Sequence, residues 1–205
     1  MSDERLRIAA AQYPLDRLDG WQAYADKLAA WVGEAAGQGA QMLVFPEYGA
    51  LELAALLPED ERADVAATYG ALQAHVPNFI ALHRELAERH GIYILAASVP
   101  VWQADGRYRN RAHFIAPNGD YSHQDKLQLT RFERVQKLMQ AGEEIAVFDT
   151  VFGPVGVCIC YDSEFPLLAR AQVEAGARLL LVPSCTDGMA GYQRVLIACR
   201  ARALE

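Results

Sequence analysis

A cysteine stands where a short apolar strand is predicted to run directly into a helix. The segment 156–166, GVCICYDSEFP, places Cys160 at this junction. A thiol there lies near the positive end of the helix dipole, which favours the nucleophilic thiolate. An isolated cysteine is more often a small buried hydrophobe, and Cys158, one step deeper on the same strand face, suits that packing role better. Cys160 is therefore the candidate nucleophile.

Two charged residues follow other predicted strands. Glu47 comes directly after Phe45 and Pro46, and a buried carboxylate at a strand end could act as a general base. A solvated loop acid or a helix N-cap is the commoner interpretation of that position alone. Lys126 closes the second strand of a predicted hairpin, where most lysines are solvated. Spacing does not show whether Glu47, Lys126 and Cys160 meet.

The elements that must position these residues alternate between strand and helix patterns. The predicted strands of the first half are 7–13, 41–45 and 91–99, and its predicted helices are 21–36 and 60–90, the latter broken at Pro77. In the second half, the predicted strand pairs are 112–117 with 121–127, joined at Asn118-Gly119, and 145–150 with 155–160, joined at Gly153-Pro154. A helix at 164–175 and a strand at 179–183 follow. The pattern predicts an α/β layered domain with a mixed sheet.

Three segments, in order, resemble the signature segments of the nitrilase superfamily, also called the carbon-nitrogen hydrolases. Segment 45–48 (FPEY) resembles that family's glutamate segment, 125–127 (DKL) its lysine segment, and 156–166 its cysteine segment. The resemblance extends from Arg7 to the last residue. It implies an α-β-β-α sandwich in which Glu47, Lys126 and Cys160 form a Glu-Lys-Cys triad.

The resemblance also implies roles for residues outside the triad. Glu133 is the nearest match to a second glutamate that positions the lysine, although a surface acid on a helix is its simpler interpretation. Tyr48, Tyr161, Ser184 and Cys185 are expected to border the substrate, and the Tyr161 backbone N–H to stabilise an oxyanion. Burial should raise the pKa of the triad carboxyl and the neighbouring ammonium should lower it, so the net direction stays open.

The implied activity is hydrolysis of a small amide through a cysteine thioester, with no cofactor. Tyr161-Asp162 after the nucleophile is common among amidases and carbamoyl-amino-acid hydrolases, whereas nitrilases tend to have Trp-Glu there. A true nitrilase and an N-carbamoyl amino acid hydrolase remain alternatives. A Cys-His amidotransferase or esterase is disfavoured, because Cys158 and Asp162 stand where its elbow needs glycines. A catalytically silent binding or assembly module is the non-enzymatic alternative.

Composition narrows the classes of partner. The formal net charge of −7 and the absence of a Lys/Arg cluster argue against nucleic acid. Neither a signal peptide nor an apolar run long enough to cross a bilayer is present in the sequence, so we expect a cytoplasmic protein that does not bind membranes. The four cysteines lack a disulfide-scaffold spacing, and the five histidines form no HExxH motif. No metal is therefore expected.

We expect residues 1–205 to be one domain that is incomplete at its C-terminus. The predicted helix 191–205 is still running when the sequence stops and has no capping residue. The resemblance implies further strands beyond it, and hence an unpaired sheet edge or an uncovered apolar face beside 179–183. It also implies a homodimer or larger homo-oligomer, to which the apolar helix 193–204 is suited.

Overall fold

The protein has a mixed α/β fold, as predicted; a computed structural model describes residues 5–62 and 64–205. The strands are β1 (Ile8–Ala10), β2 (Met42–Val44), β3 (Tyr93–Trp102), β4 (Tyr108–Ile115), β5 (Tyr121–Asp125), β6 (Val147–Phe148), β7 (Val155–Val157) and β8 (Leu179–Leu181). The α-helices are α1 (Trp21–Gly37), α2 (Val65–Leu72), α3 (Val76–His90), α4 (Arg131–Gln136), α5 (Pro166–Glu174) and α6 (Met189–Leu204). Short 3-10 helices occupy Gly49–Leu56, Asp60–Arg62 and Cys160–Glu164. Within the described ranges, none of the helices combines the length and the apolar character needed to cross a membrane.

The described strands form two sheets. The order in the first sheet is β1-β2-β3-β4-β5, and β2 pairs in parallel with both β1 and β3. The order in the second is β6-β7-β8, in which β7 is antiparallel to β6 and parallel to β8. The second sheet is thus mixed, as predicted. Parallel strands end at the same edge, which brings the loops that follow them together.

Contacts between backbone segments divide the chain into two compact units. The first contains the residues through Phe45, Gly49–Ala97 and His113–Ser122, and the second contains Pro46–Tyr48, Ser98–Ala112 and His123–Glu205. The chain passes between them more than once, because β3 and β4 each contribute to both units. Every residue of the predicted triad belongs to the second unit.

Helices α1 and α3 pack together in the first unit. Tyr24, Leu28 and Val32 are buried on one face of α1, at the spacing that a core-facing helix requires. The predicted helix 60–90 is two helices, and residue 63 of that range lies outside the described part. The interruption precedes Pro77, which stands in the first turn of α3, because proline is tolerated there and breaks a helix only further along.

Gln172 fixes α5 against β7 in the second unit. Its amide donates to the Val157 carbonyl at 2.7 Å, and its carbonyl oxygen accepts from the Cys158 thiol at 3.4 Å. A Cβ at Gly156 would lie 2.5 Å from that same oxygen, so only glycine leaves room for Gln172. The predicted start of this helix at Glu164 is wrong, since α5 begins at Pro166, after the 3-10 turn Cys160–Glu164.

Strand β8 lies at one edge of the second sheet. Of the described strands, β7 alone pairs with it, along Leu179 to Leu181. Leu179 and Leu180 are only partly buried. An edge strand therefore lies where the sequence predicted one. That the chain is incomplete stays a prediction.

His83 is a fully buried histidine in the first unit. Its Nδ1 lies 2.8 Å from the Phe79 carbonyl, and its ring packs on the Phe79 and Phe45 rings, with centroids 4.3 and 5.8 Å away. Burial lowers the pKa of His83 to about 4. The folded state therefore holds this imidazole neutral, and Nδ1 is its donor.

We predict that acidification destabilises the protein through His83. As the pH falls from 7 to 5, this histidine becomes protonated in the unfolded chain, where its pKa is near 6.5, but stays neutral in the folded chain. Protonation of the unfolded state alone lowers the free energy of unfolding by about 2 kcal/mol. Urea unfolding of the wild type and of His83→Gln at the two pH values measures this difference. Equal pH dependence in both proteins would contradict the prediction, because it would mean that His83 has the same pKa in the folded and unfolded states.

Candidate active site

Glu47 lies just beyond the end of β2 and is 3% exposed. Its Oε1 accepts from Lys126 Nζ at 2.7 Å and from Asn110 Nδ2 at 3.0 Å, while its Oε2 accepts from the Cys185 backbone N–H at 3.1 Å. The next residue, Tyr48, has a φ of 56° and donates its N–H to Ser98 Oγ at 2.9 Å. The carboxylate is thus held on both oxygens.

Lys126 is buried directly after β5, with 1% of its surface exposed. Its N–H donates to the Asn110 carbonyl at 2.9 Å, and its carbonyl accepts from the Gly142 N–H at 2.8 Å, so the backbone is fixed on both sides. Its ammonium donates to Glu47 and to both oxygens of Glu133, at 3.1 and 2.9 Å. Lys126 is therefore not a solvated surface lysine.

Glu133 projects inward from α4. Thr130 caps this helix in a capping box, in which Glu133 Oε2 accepts from the Thr130 N–H at 2.7 Å. The Tyr48 hydroxyl donates to Oε1 at 2.6 Å. Glu133 is 1% exposed, so the simpler interpretation as a surface acid is wrong. The helix cap and the lysine contact share one carboxylate.

Asn110 of β4 links the two glutamates, and the sequence analysis did not identify it. Its Nδ2 lies 3.0 Å from Glu47 Oε1 and 3.2 Å from Glu133 Oε1. Carboxylate oxygens can only accept here, which assigns the amide nitrogen to that side. Tyr108, Asn110 and Ala112 alternate as buried residues of β4, and a polar side chain at such a position must have partners. A polar residue on the buried face of a strand is the sequence signal that could have identified Asn110.

Cys160 begins the 3-10 turn after β7 with a left-handed backbone, at a φ of 48°. Its N–H donates to the Pro183 carbonyl at 2.9 Å, and its carbonyl accepts from Ser163 Oγ at 2.7 Å. The thiol donates to the Cys185 carbonyl at 3.7 Å, and the Glu47 carboxylate is close enough to raise its pKa. The left-handed backbone is thus held from both sides.

Asp162 ties the cysteine turn to the lysine segment. Its buried carboxylate accepts from the N–H groups of Ile159 at 3.0 Å, Leu127 at 3.1 Å and Gln128 at 2.6 Å. Burial raises the pKa of Asp162 to about 7 and these three donors oppose the rise. One side chain thereby fixes the backbone beside both Cys160 and Lys126.

In the buried trio of Glu47, Glu133 and Lys126, the pKa values of the two carboxyl groups shift in opposite directions. Burial raises the pKa of Glu47 and outweighs the opposing Lys126 ammonium, with Glu133 adding to the rise. Burial also acts to raise the pKa of Glu133, but Lys126 and the Tyr48 and Thr130 hydrogen bonds lower it overall. Burial acts to lower the pKa of Lys126, but the two carboxylates raise it. Glu133 is therefore the fixed counter-ion and Glu47 the carboxylate that takes up a proton more readily.

The expected thiolate at Cys160 is not supported. Burial and the nearby Glu47 carboxylate raise the pKa of the Cys160 thiol to about 12. The turn after it is a 3-10 helix of five residues, which has little dipole to offer, and α5 begins only at Pro166. The resting state is consequently a thiol beside a carboxylate.

A cavity of about 570 Å³ opens onto these groups within the second unit. The predicted site residues that line it are Glu47, Tyr48, Lys126, Glu133, Cys160, Tyr161 and Cys185. Ser184 does not line it, because its hydroxyl turns back onto the Val182 carbonyl at 3.1 Å. Cys185 contributes its backbone N–H and carbonyl to Glu47 and Cys160. The cavity is of a size for a small organic molecule.

The four cysteines are thiols in this structure, and Cys160 alone combines burial with a place at the cavity. Cys158 is buried against Gln172, consistent with packing. In the described part of the chain, no group of three or more His, Cys, Asp or Glu side chains could hold a metal ion. The chemistry that these residues support is nucleophilic attack by a thiol assisted by a carboxylate and an ammonium.

A buried thiol, two carboxylates and an ammonium thus line one cavity of a mixed α/β fold. The chain belongs to the carbon-nitrogen hydrolase family, because the model of that family matches residues 7–205. The family expected from the three sequence segments is confirmed.

Individual relatives agree with the family. "Probable hydrolase YhcX" of Bacillus subtilis is 32% identical over 200 residues, covering 98% of this chain and 38% of its own length. "Omega-amidase NIT2-B" of Xenopus laevis is 31% identical over 131 residues, covering 59% of this chain and 46% of its own. The crystal structure of an amidase from Nesterenkonia sp. is 27% identical, with a TM-score of 0.71, covering 97% of this chain and 71% of that one. The chain spans less than half the length of the first two relatives.

We predict that removing the buried ammonium destabilises the fold. Lys126→Met leaves two carboxylates facing each other in the interior, at a cost of about 3–5 kcal/mol in unfolding free energy. Urea unfolding measures the loss at neutral pH. Lys126→Met combined with Glu133→Gln removes one of the two charges and should recover part of it. A Lys126→Met protein within about 1 kcal/mol of the wild type would contradict a buried ion cluster.

Proposed function

We propose that this chain carries the site of an amidase that hydrolyses a small amide through a thioester on Cys160. The observation that supports this most directly is the grouping of Glu47, Lys126 and Cys160 at one cavity, with Lys126 hydrogen-bonded to Glu47. Glu47 is the general base, Lys126 the cationic stabiliser, and Glu133 the residue that positions Lys126.

The first half-reaction forms the thioester. Cys160 Sγ attacks the amide carbon as Glu47 takes the thiol proton, because a thiol with a pKa near 12 cannot supply enough thiolate by itself. The carbonyl oxygen becomes an oxyanion stabilised by the Lys126 charge and the Tyr161 N–H. Glu47 then returns the proton to the nitrogen, the C–N bond breaks, and ammonia leaves.

The second half-reaction reverses these roles. Glu47 takes a proton from water, the water oxygen attacks the thioester carbon, and the oxyanion forms at the same place. The C–S bond then breaks, the proton passes to sulfur, and the carboxylic acid is released. The raised pKa of Glu47 suits a group that must hold a proton between the two steps.

The relatives support an amide substrate. Several curated relatives are omega-amidases, and the Nesterenkonia protein is an amidase whose double mutant was crystallised in complex with acrylamide. Another mutant of that amidase shows covalent addition of the acetamide moiety of fluoroacetamide at its active site cysteine. By analogy we assign the covalent step to Cys160. Ammonia release from short amides, nitriles and carbamoyl amino acids would distinguish an amidase from the two alternatives.

We also propose self-association, which is supported by apolar side chains that α6 leaves exposed. Met189, Tyr192 and Ile197 are each more than half exposed. Apolar surface of this kind is typical of protein interfaces. A homodimer is the simplest assembly that would cover it.

We predict that Cys160→Ala abolishes amide hydrolysis, since no other thiol can form the thioester. Cys158→Ala, Cys185→Ala and Cys199→Ala are the matched controls and should keep at least part of the activity, because Cys160 alone of the four is both buried and at the cavity. Ammonia release and intact-mass detection of the acyl-enzyme provide the two readouts. Hydrolysis at the wild-type rate by Cys160→Ala would refute the mechanism.

We predict that Glu47→Gln lowers kcat by roughly 10²–10⁴-fold, because the glutamine side chain cannot take up the proton of the Cys160 thiol. In the wild type the rate should fall as the pH drops through the raised pKa of Glu47, since the base is then protonated. Glu47→Gln should also slow iodoacetamide alkylation of Cys160 at neutral pH. A kcat loss below about tenfold would place Glu47 outside the proton transfer.

A further inference from the structure

The four cysteines fall into two pairs, each at its own cavity of the second unit. Cys160 and Cys185 line the cavity of about 570 Å³. Cys158 and Cys199 line another cavity of about 650 Å³, beside β8 and the end of α6. All four are free thiols. Two thiols at one cavity have a reaction open to them that a single thiol lacks, which is the formation of a disulfide.

The connection between β8 and α6 holds Cys185 beside the nucleophile. The Cys160 N–H donates to the Pro183 carbonyl at 2.9 Å, and the Cys160 thiol donates to the Cys185 carbonyl at 3.7 Å. The Cys185 N–H in turn donates to Glu47 Oε2 at 3.1 Å. These hydrogen bonds keep the backbone of Cys185 next to the Cys160 sulfur.

The Cys185 side chain can turn toward that sulfur. Cys185 is exposed and lies in the connection 182–188, between β8 and α6. Among the residues that the structure describes, none forms a hydrogen bond with its thiol. A cysteine has a single side-chain torsion, so rotation about the Cα–Cβ bond is enough to redirect the sulfur into the cavity.

The Glu47 carboxylate makes Cys160 the thiol that reacts first with an oxidant. Burial raises the pKa of both Cys160 and Cys158 to about 12, so neither supplies thiolate by itself. Cys160 has Glu47 close by, and the raised pKa of that carboxyl suits it to take the thiol proton. The Cys158 thiol donates instead to the Gln172 amide oxygen, a weak base. The carboxylate near Cys158, that of Asp162, is already bonded to three backbone N–H groups.

We propose that Cys160 and Cys185 form a reversible disulfide when the protein meets a hydroperoxide, and that this bond switches the site off. The inference rests on the proposed function, because the activity that is lost is the hydrolysis assigned to Cys160. In the first step the Cys160 sulfur attacks a hydroperoxide oxygen while Glu47 takes the thiol proton. The O–O bond breaks, and the proton passes to the leaving oxygen. The products are a sulfenic acid on Cys160 and an alcohol or water.

The second step joins the two sulfurs. The Cys185 sulfur attacks the sulfenic sulfur, Glu47 takes the Cys185 proton, and the S–O bond breaks as hydroxide leaves with that proton as water. Burial and the Glu47 carboxylate raise the pKa of the Cys185 thiol, so Glu47 is near enough to serve as its base too. The two sulfurs are oxidised and the hydroperoxide is reduced.

The disulfide has two consequences for the site. No thiol remains on Cys160 to attack an amide, so hydrolysis stops. The sulfenic acid is also consumed before a second hydroperoxide can oxidise it to the sulfinic acid, a step that thiols do not reverse. A small dithiol reduces the disulfide and returns both thiols.

The test treats wild-type protein, Cys185→Ser and Cys199→Ser with hydrogen peroxide and then with dithiothreitol, each compared with its own untreated activity. Wild-type amidase activity should fall by about tenfold or more and return to its starting level with the dithiol. Cys185→Ser should also lose activity but regain little, because its sulfenic acid has no second thiol beside it. Cys199→Ser removes a thiol from the other cavity, so this matched control should behave like the wild type.

Mass spectrometry separates this inference from the proposed function, because it needs no turnover. Peptides of the oxidised wild type should include a Cys160–Cys185 cross-link, whereas Cys160 of Cys185→Ser should gain oxygen. The cross-link in a protein that hydrolyses no amide would refute the proposed function and leave the disulfide standing. A Cys158–Cys199 cross-link in its place, or oxygen on the wild-type Cys160 without any cross-link, would overturn the inference.

Discussion

A buried ammonium group is stable in a protein interior only if anions within hydrogen-bond distance replace the water that it has lost. Lys126 meets this condition with Glu47 and Glu133, and the elements around it are arranged to supply those carboxylates. Glu47 comes from the loop after β2, and Glu133 from a short helix whose own cap uses the same side chain. The two carboxyl groups differ in proton affinity, because burial dominates at Glu47 whereas the Tyr48 and Thr130 hydrogen bonds add to the effect of Lys126 at Glu133.

The hydrogen bonds around the trio connect segments that are distant in sequence. Asn110 lies 63 residues from Glu47 and 23 from Glu133, and Cys185 lies 138 residues from Glu47. Asp162 joins the lysine segment to the cysteine turn through backbone donors. The site is therefore rigid through a network rather than through any one contact, and such networks hold a reactive geometry more tightly than isolated pairs do.

Sequence reasoning found the strands, most helices and the residues of the trio, because apolar periodicity and three ordered segments are local signals. It missed the contacts and pKa shifts that depend on residues distant in sequence. Asn110 has no local motif, and only the fold shows which carboxylates face its amide. The thiolate at Cys160 was expected from a helix dipole, whereas the pKa follows from burial and from Glu47, a residue 113 positions earlier in the sequence. The folding back of Ser184 onto Val182 likewise depends on a local turn that the residue types permit but do not require.

The left-handed backbone of Cys160 limits which side chains this position can carry. A φ of 48° crowds the side chain against its own carbonyl, and the crowding is worst for residues that carry two heavy substituents on Cβ. Cysteine and serine have one such substituent, and threonine has two. Replacement of sulfur by a hydroxyl oxygen is therefore sterically open at this position, whereas the extra methyl of threonine is disfavoured by the backbone itself.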